Sequence, residues 1–167
     1  MTTPAEPSRE GDGASKRSSS DWDHHWMAVA IAEARLAFPD VPVGSVLVKD
    51  NLLLAKDHNR KEQSQDPTDH AEIVVMRKAA EMLKSWRLEG TTLYTTLEPC
   101  PMCAEALIQS RVSRLVYGAY DPRSGAVSSA FNLFVAGRPY PIPEVLGGVA
   151  EEECKTLMIE FFRGKNE

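Results

Sequence analysis

The chain has 167 residues, 43% hydrophobic and 26% charged, and its 19 Lys and Arg against 24 Asp and Glu give a net charge of −5. These proportions suit one globular domain, and the acidic balance excludes a general nucleic-acid coat or a polybasic membrane binder while leaving room for a local basic patch. No run of about 18 apolar residues is present, the first residues lack the apolar stretch of a secretory signal, and 3 cysteines is an odd count that points to a reducing, cytoplasmic setting and not to a disulfide scaffold.

Residues 1–20 combine Ser, Gly, Pro and balanced charges with no aromatic or β-branched aliphatic side chain. Such a segment buries too little to offset its ordering entropy, so it is expected to be a disordered tail ahead of one domain over residues 21–167. Asp21 is a good N-cap for a helix in which Trp22, Trp26, Val29, Ala30 and Leu36 recur at helical spacing, and Pro39 ends that pattern. Val43–Val48 and Leu52–Ala55 read as two strands about the turn Lys49-Asp50-Asn51. A helix is expected over Asp69–Leu83, capped by Asp69, with Ile73, Met76, Ala80 and Leu83 on one face.

Thr91–Thr96 is a β-branched and aromatic strand, Pro101–Ser110 a short helix, and Leu115–Ala119 another strand. Residues 120–143, rich in Gly and Pro, read mostly as loop. Ala150–Arg163 closes the chain as an amphipathic helix with Cys154, Leu157, Met158, Phe161 and Phe162 on its apolar side. Strands alternating with helices predict an α/β layered domain, helices on both faces of a mixed sheet, with the first strand pair antiparallel and later ones parallel.

Two short segments carry the chemistry: His70-Ala71-Glu72 and Pro99-Cys100-Pro101-Met102-Cys103. Cys100 and Cys103 stand three apart at a helix start, where both sulfurs can point to one side and the helix N-terminus favours thiolates, the form that binds metal. Pro101 suits the first helical turn because its missing N–H costs nothing there. His70 supplies a neutral nitrogen, and two thiolates with one imidazole around Zn²⁺ leave a near-neutral shell with one open position. A water in that position becomes a nucleophile near neutral pH, and Glu72, two residues beyond His70, is placed to act as its general base. The alternatives are a redox pair, which gives His70 and Glu72 no role, and a structural zinc site. That site would need a fourth ligand from Cys154, His24, His25 or His58, of which Cys154 reads as a buried small hydrophobe and His24 and His25 as surface residues.

His-x-Glu followed by Pro-Cys-x-x-Cys is the signature of the zinc nucleobase deaminases. Together with Thr96-Leu97-Glu98 ahead of it, Ser110 to Gly118, Val41-Pro42-Val43-Gly44, His58-Asn59-Arg60 and Asp66-Pro67-Thr68, the sequence from about Asp21 to Arg163 resembles the bacterial tRNA-specific adenosine deaminases. The resemblance implies a three-layer α/β/α cytidine deaminase-like fold with a mixed five-stranded sheet, one zinc ion per subunit, and a homodimer. It implies hydrolytic deamination of adenosine to inosine at the wobble position of a tRNA anticodon stem-loop, with no membrane or DNA partner. Water activated by the zinc would attack C6 of the extruded adenine, while Glu72 passes a proton to N1 and later protonates the departing ammonia.

By the same resemblance Asn59 hydrogen-bonds the base and Val43, with Pro42 beside it, forms an apolar wall. Asp121 contacts a neighbouring sugar, and Phe161 and Arg163 lie near the RNA. Read as residues alone, Val43 is equally a core strand residue, Asp121 a turn former, and the two C-terminal phenylalanines core, Phe162 above all.

The chain departs from the family in two places. Glu105 stands where a small residue is usual, and the late-loop Asn-His-Arg element is replaced by Phe134-Val135-Ala136-Gly137-Arg138-Pro139-Tyr140-Pro141. Arg111, Arg114, Arg123, Arg138, Arg163 and Lys165 could form a phosphate-binding rim in its stead. The competing functions are a deaminase of a free base or nucleoside (guanine, cytosine or cytidine) and a non-catalytic partner subunit. The latter would be expected to lack the glutamate that Glu72 supplies.

Overall fold

The computed structural model describes residues 17–165. Its elements are α1 (Ser19–Ala34), β1 (Gly44–Lys49), β2 (Leu52–His58), α2 (Lys61–Ser64), α3 (Ala71–Leu83), β3 (Thr91–Leu97), α4 (Pro101–Gln109), β4 (Arg114–Ala119), β5 (Glu144–Gly147) and α5 (Glu151–Lys165). The five strands form one sheet in the order β2-β1-β3-β4-β5. β1 is antiparallel to both β2 and β3, and β3, β4 and β5 are parallel, so the mixed sheet is as expected.

Period-two alternation sorts the strand residues between two cores. Leu47, Leu93, Leu115 and Tyr117 face Val75, Met76 and Ala79 of α3 and Leu107 of α4. Val46, Val48, Tyr94 and Val116 face Trp26, Met27, Ala30 and Ile31 of α1 and Cys154 of α5. The chain is therefore a three-layer sandwich, and Cys154, 1% exposed, is a core thiol. α1 approaches the sheet so closely at Gly44 that a Cβ there would stand 2.5 Å from the Ala34 backbone nitrogen.

Several boundaries differ from expectation. α1 begins three residues early because Ser18, not Asp21, is its N-cap: the Ser18 hydroxyl accepts from the Asp21 N–H at 3.2 Å, and the Asp21 carboxylate accepts from the Ser18 N–H at 3.0 Å. Residues 19 and 20 are thus helical, while the tail reading for residues 1–16 lies outside the described residues. β2 continues through Lys56, Asp57 and His58, where the buried Asp57 accepts from Arg60 at 2.7 Å, from Lys78 and from the His58 N–H. The fifth strand, β5, has four residues at a sheet edge with Val145 and Leu146 partly exposed, so no alternation marks it. Phe162, expected in the core, is 46% exposed. Among the described residues no helix is long and apolar enough to cross a membrane.

Candidate metal centre and substrate pocket

The loop before α3 is built by Asp66, whose carboxylate accepts from both the N–H and the hydroxyl of Thr68 at 2.8 and 2.7 Å. That turn delivers His70 as the extended N-cap residue of α3. Asp69 does not cap the helix; it accepts from Arg77 at 2.9 Å and from Ser64 at 2.6 Å, tying α3 to α2. Across the site, Cys100 is the extended N-cap of α4, with Pro101 in its first turn and Cys103 facing back.

His70 Nδ1 lies 3.5 Å from the Cys100 sulfur and 3.6 Å from the Cys103 sulfur. Around a tetrahedral zinc, with Zn–N near 2.0 Å and Zn–S near 2.3 Å, a nitrogen and a sulfur ligand stand about 3.5 Å apart. The donor set and its spacing fit that ion. His70, Cys100 and Cys103 could hold a zinc ion, with one coordination position left for a fourth, non-protein ligand.

The charges are arranged to match. Cys100 is drawn down to about 4 by the Cys103 thiol hydrogen bond, against its burial, and further by His70 and the Cys103 backbone N–H. Cys103 is pushed up by its bond to Cys100 and by burial, so the pair carries its first negative charge on Cys100. His70 is raised by its hydrogen bond to Cys100, against burial, with help from the Glu72 charge.

Glu72, 4% exposed, is the second residue of α3 and stands beside this cluster. Its Oε2 lies 3.3 Å from the Cys103 sulfur and its Oε1 accepts from the Thr95 hydroxyl at 2.9 Å. Burial raises its proton affinity above the ordinary carboxylate range, partly opposed by its own backbone N–H and by His70. A buried glutamate so placed is suited to take up and release a proton beside the position that a metal held by His70, Cys100 and Cys103 would leave open.

A cavity of about 290 Å³ opens onto His70, Glu72 and Cys100. Val43 and Asn59, both expected at the site, line it, and Asp121 reaches it from the loop after β4. The Asn59 amide is fixed: its nitrogen donates to the Val41 carbonyl at 3.3 Å, and its oxygen accepts from the Lys61 N–H at 3.2 Å. One N–H and one lone pair of that amide stay free. Asp121 is the turn former weighed for it, its carboxylate accepting from the N–H groups of Arg123 and Ser124 at 3.1 and 3.3 Å, and it also lines the cavity.

Pro42 is buried behind Val43 and does not line the cavity. Phe161 and Arg163 do not reach it either; α5 sends Met158 there instead, while Arg163 is exposed and Phe161 lies under Lys165. Phe161, three residues on, shares the side of α5 that carries Met158 but lies about 4.5 Å further along the helix axis, beyond the cavity lining.

Sequence reasoning missed Met158, Val41, Lys61 and Ser124 as lining residues, and Glu98 as the organiser of the 121–129 loop. Glu98 Oε2 accepts from the N–H groups of Val127, Ser128 and Ser129 at 3.1, 2.9 and 3.1 Å, and Oε1 accepts from the Asp121 N–H at 3.1 Å and from the Ser129 hydroxyl. Burial alone would raise this carboxyl; these bonds outweigh it and hold Glu98 below the ordinary range. Its one sequence signal is a charged residue between a strand and a buried proline.

Glu33, Asp57 and His58 also cluster, but Lys56, Arg60 and Lys78 pair with their carboxylates, so this group is an ion-pair network under β2. His58 donates its capacity there and offers no fourth ligand to the metal centre.

The family described as cytidine and deoxycytidylate deaminase zinc-binding region matches residues 20–119. The tRNA-specific adenosine deaminase of Bacillus subtilis (strain 168) is 46% identical over 143 residues, covering 84% of this chain and 89% of that protein. A structure solved in a study of A-to-I editing by tRNA:A34 deaminases at the wobble position of transfer RNA is similar with a TM-score of 0.77 and 45% identity, over 80% of this chain and 98% of that one. The guanine deaminase from Bacillus subtilis is similar over a smaller part, 57% of this chain and 63% of that one, at 35% identity and a TM-score of 0.56.

Proposed function

Because this chain belongs to the cytidine and deoxycytidylate deaminase zinc-binding family, and matches tRNA-specific adenosine deaminases over most of its length, we propose that it deaminates adenosine to inosine at the wobble position of a tRNA anticodon. The observation that carries this reading is the convergence of His70, Glu72 and Cys100 with Asn59, Val43 and Asp121 on one cavity. A zinc held by His70, Cys100 and Cys103 would supply a Lewis acid that lowers the pKa of a bound water.

Glu72 would then move two protons in turn: its Oε2 takes one from the attacking water and gives it to N1 of the adenine, then takes the second from the oxygen added at C6 and gives it to the departing amino group, which leaves as ammonia. Its raised proton affinity suits a group that must hold a proton between two transfers. Asn59 presents one donor and one acceptor to the edge of the extruded base. Val43 and Leu97 supply apolar wall, Asp121 reaches for a ribose hydroxyl, and Lys61 stands at the rim for a phosphate.

We place Phe161 and Arg163 outside the base pocket, at the surface where flanking nucleotides would lie. A second copy of the chain is taken to cover α4, whose Met102, Glu105 and Ala106 are only half-buried, giving a homodimer. The cytoplasm, with its transfer RNA and reduced thiols, is the matching compartment.

The test is incubation of the purified zinc-loaded protein with an anticodon stem-loop bearing a wobble adenosine, and in parallel with free adenosine, guanine and cytosine. Inosine in the RNA alone is expected. Turnover of a free base with none of the RNA would replace this reading by that of a free-base deaminase. Light scattering of the same sample is expected to give twice the chain mass.

A further inference from the structure

We propose that Thr95, backed by Ser45, is a positioning residue for Glu72, fixing its carboxylate so that Oε2 is the oxygen turned toward the His70–Cys100–Cys103 cluster. The proposal rests on the deaminase reading, in which Glu72 carries the proton, and deepens it by naming what holds that group in place.

Ser45 of β1 and Thr95 of β3 are direct partners in the antiparallel register, and both are 0% exposed. The Ser45 hydroxyl donates to Thr95 Oγ1 at 3.0 Å, and the Thr95 hydroxyl donates to Glu72 Oε1 at 2.9 Å. One step along the same sheet face, the partners are Leu47 and Leu93, both in the apolar core. The face thus changes from hydrocarbon to hydroxyl beneath Glu72.

Valine fills nearly the same volume as threonine on a strand and needs no partner, whereas a buried hydroxyl is costly without one. A relay of two hydroxyls in a dry layer is therefore tolerated only because it ends on an acceptor. Each hydroxyl carries one proton, and the carboxylate is the only member able to terminate the relay by accepting. The direction is fixed: Ser45 to Thr95 to Glu72. With Oε1 engaged in this way, Oε2 is the atom left to take up and release a proton, and it faces Cys103 at 3.3 Å. Loss of the Thr95 hydroxyl frees the carboxylate to turn about its last bond, and a misaimed proton carrier slows the chemical step without changing how RNA binds.

The experiment compares Thr95→Val, Thr95→Ser, Ser45→Ala and the Ser45→Ala/Thr95→Val double variant with the unsubstituted, zinc-loaded chain. Single-turnover deamination of the stem-loop, RNA affinity, zinc content and melting temperature are measured for each. Thr95→Val is expected to lower the single-turnover rate about tenfold, with RNA affinity and zinc content within about twofold. Thr95→Ser restores the rate. The double variant, which no longer leaves the Ser45 hydroxyl unpartnered, recovers melting temperature but not rate.

A Thr95→Val rate within twofold of the unsubstituted chain, a Thr95→Ser rate as low as that of Thr95→Val, or recovery of rate together with stability in the double variant would each overturn the proposal. A crystal structure of Thr95→Val decides the point apart from turnover: Glu72 Oε1 leaves its place in the expected outcome, and an unmoved carboxylate sinks the inference. An unsubstituted chain inert on the RNA, or a Glu72→Gln variant as fast as it, would instead count against the deaminase reading.

Discussion

Gly125 leaves the space that the Glu98 side chain fills: a Cβ on Gly125 would stand 2.6 Å from Glu98 Oε1 and 2.6 Å from the Asp121 carbonyl oxygen. The two residues together let one carboxylate gather the N–H groups of residues 121 and 127–129, and so present Asp121 and Ser124 to the pocket. Gly125→Ala must therefore displace either Glu98 or the loop backbone. It is expected to cost about 1–3 kcal/mol of stability. Stem-loop affinity should fall while zinc content is unchanged, as measured by denaturation, RNA titration and metal analysis.

Glu72→Gln tests the proton carrier. The variant is expected to keep its zinc and lose turnover by roughly 10²–10⁴-fold. Burial already works against ionised Glu72, so replacing it by a neutral amide should leave the melting temperature at or above that of the unsubstituted chain. A variant that turned over normally, or that lost its metal, would contradict the assignment.

Cys103→Ala removes a proposed zinc ligand that is itself fully buried in α4. The expected outcome is loss of stoichiometric zinc and a lower melting temperature, because metal binding to the folded site adds directly to folding stability. Treating the unsubstituted chain with a strong chelator should lower its melting temperature and leave the Cys103→Ala variant unmoved. Differential scanning fluorimetry with metal analysis checks both.

Asp23 supplies the pH test. Burial would raise its carboxyl, but the hydrogen bonds from Arg114 at 2.7 and 2.9 Å and from Tyr94 at 2.8 Å outweigh burial and hold it below the ordinary range. A folded-state value below the unfolded one means that the contribution is fully present above about pH 4 and lost as the pH falls through the folded value. Asp23→Asn is expected to cost about 2–3 kcal/mol at pH 7, with the difference from the unsubstituted chain narrowing below pH 4. Urea denaturation over pH 3–7 reads both. A difference that stays constant down to pH 3 would show that the ion pair is not its source.

The parts of the site that sequence made legible are those whose chemistry is local. Cys100 and Cys103 stand three apart at the start of α4, and His70 is the extended N-cap of α3 with Glu72 just inside it, so each pair is delivered by one helix start. What escaped was set by partners far along the chain. Glu98 looks like a polar link until residues 121–129 fold over it, and Thr95 looks like any β-branched strand residue until Glu72 arrives above it. The last three residues of β2 carry charge and so resembled a loop; Arg60 and Lys78 make that charge compatible with burial. At the C-terminus the apolar stripe of α5 was visible, but which of its members meets the pocket depends on where along its axis the helix passes the cavity, and that selects Met158 over Phe161.

The β1–β2 hairpin has one more consequence. Gly44 and His58 pair at the end of the sheet near the pocket, and the turn residues Asp50 and Asn51, both at positive φ, close the hairpin at the other end. Six residues of strand separate the two ends, about 20 Å. This turn is a natural port for a graft: a tag, a fluorophore or an entire fused domain inserted between Asp50 and Asn51 would hang from the far pole of the molecule, leaving the mouth of the cavity open to a bulky polynucleotide.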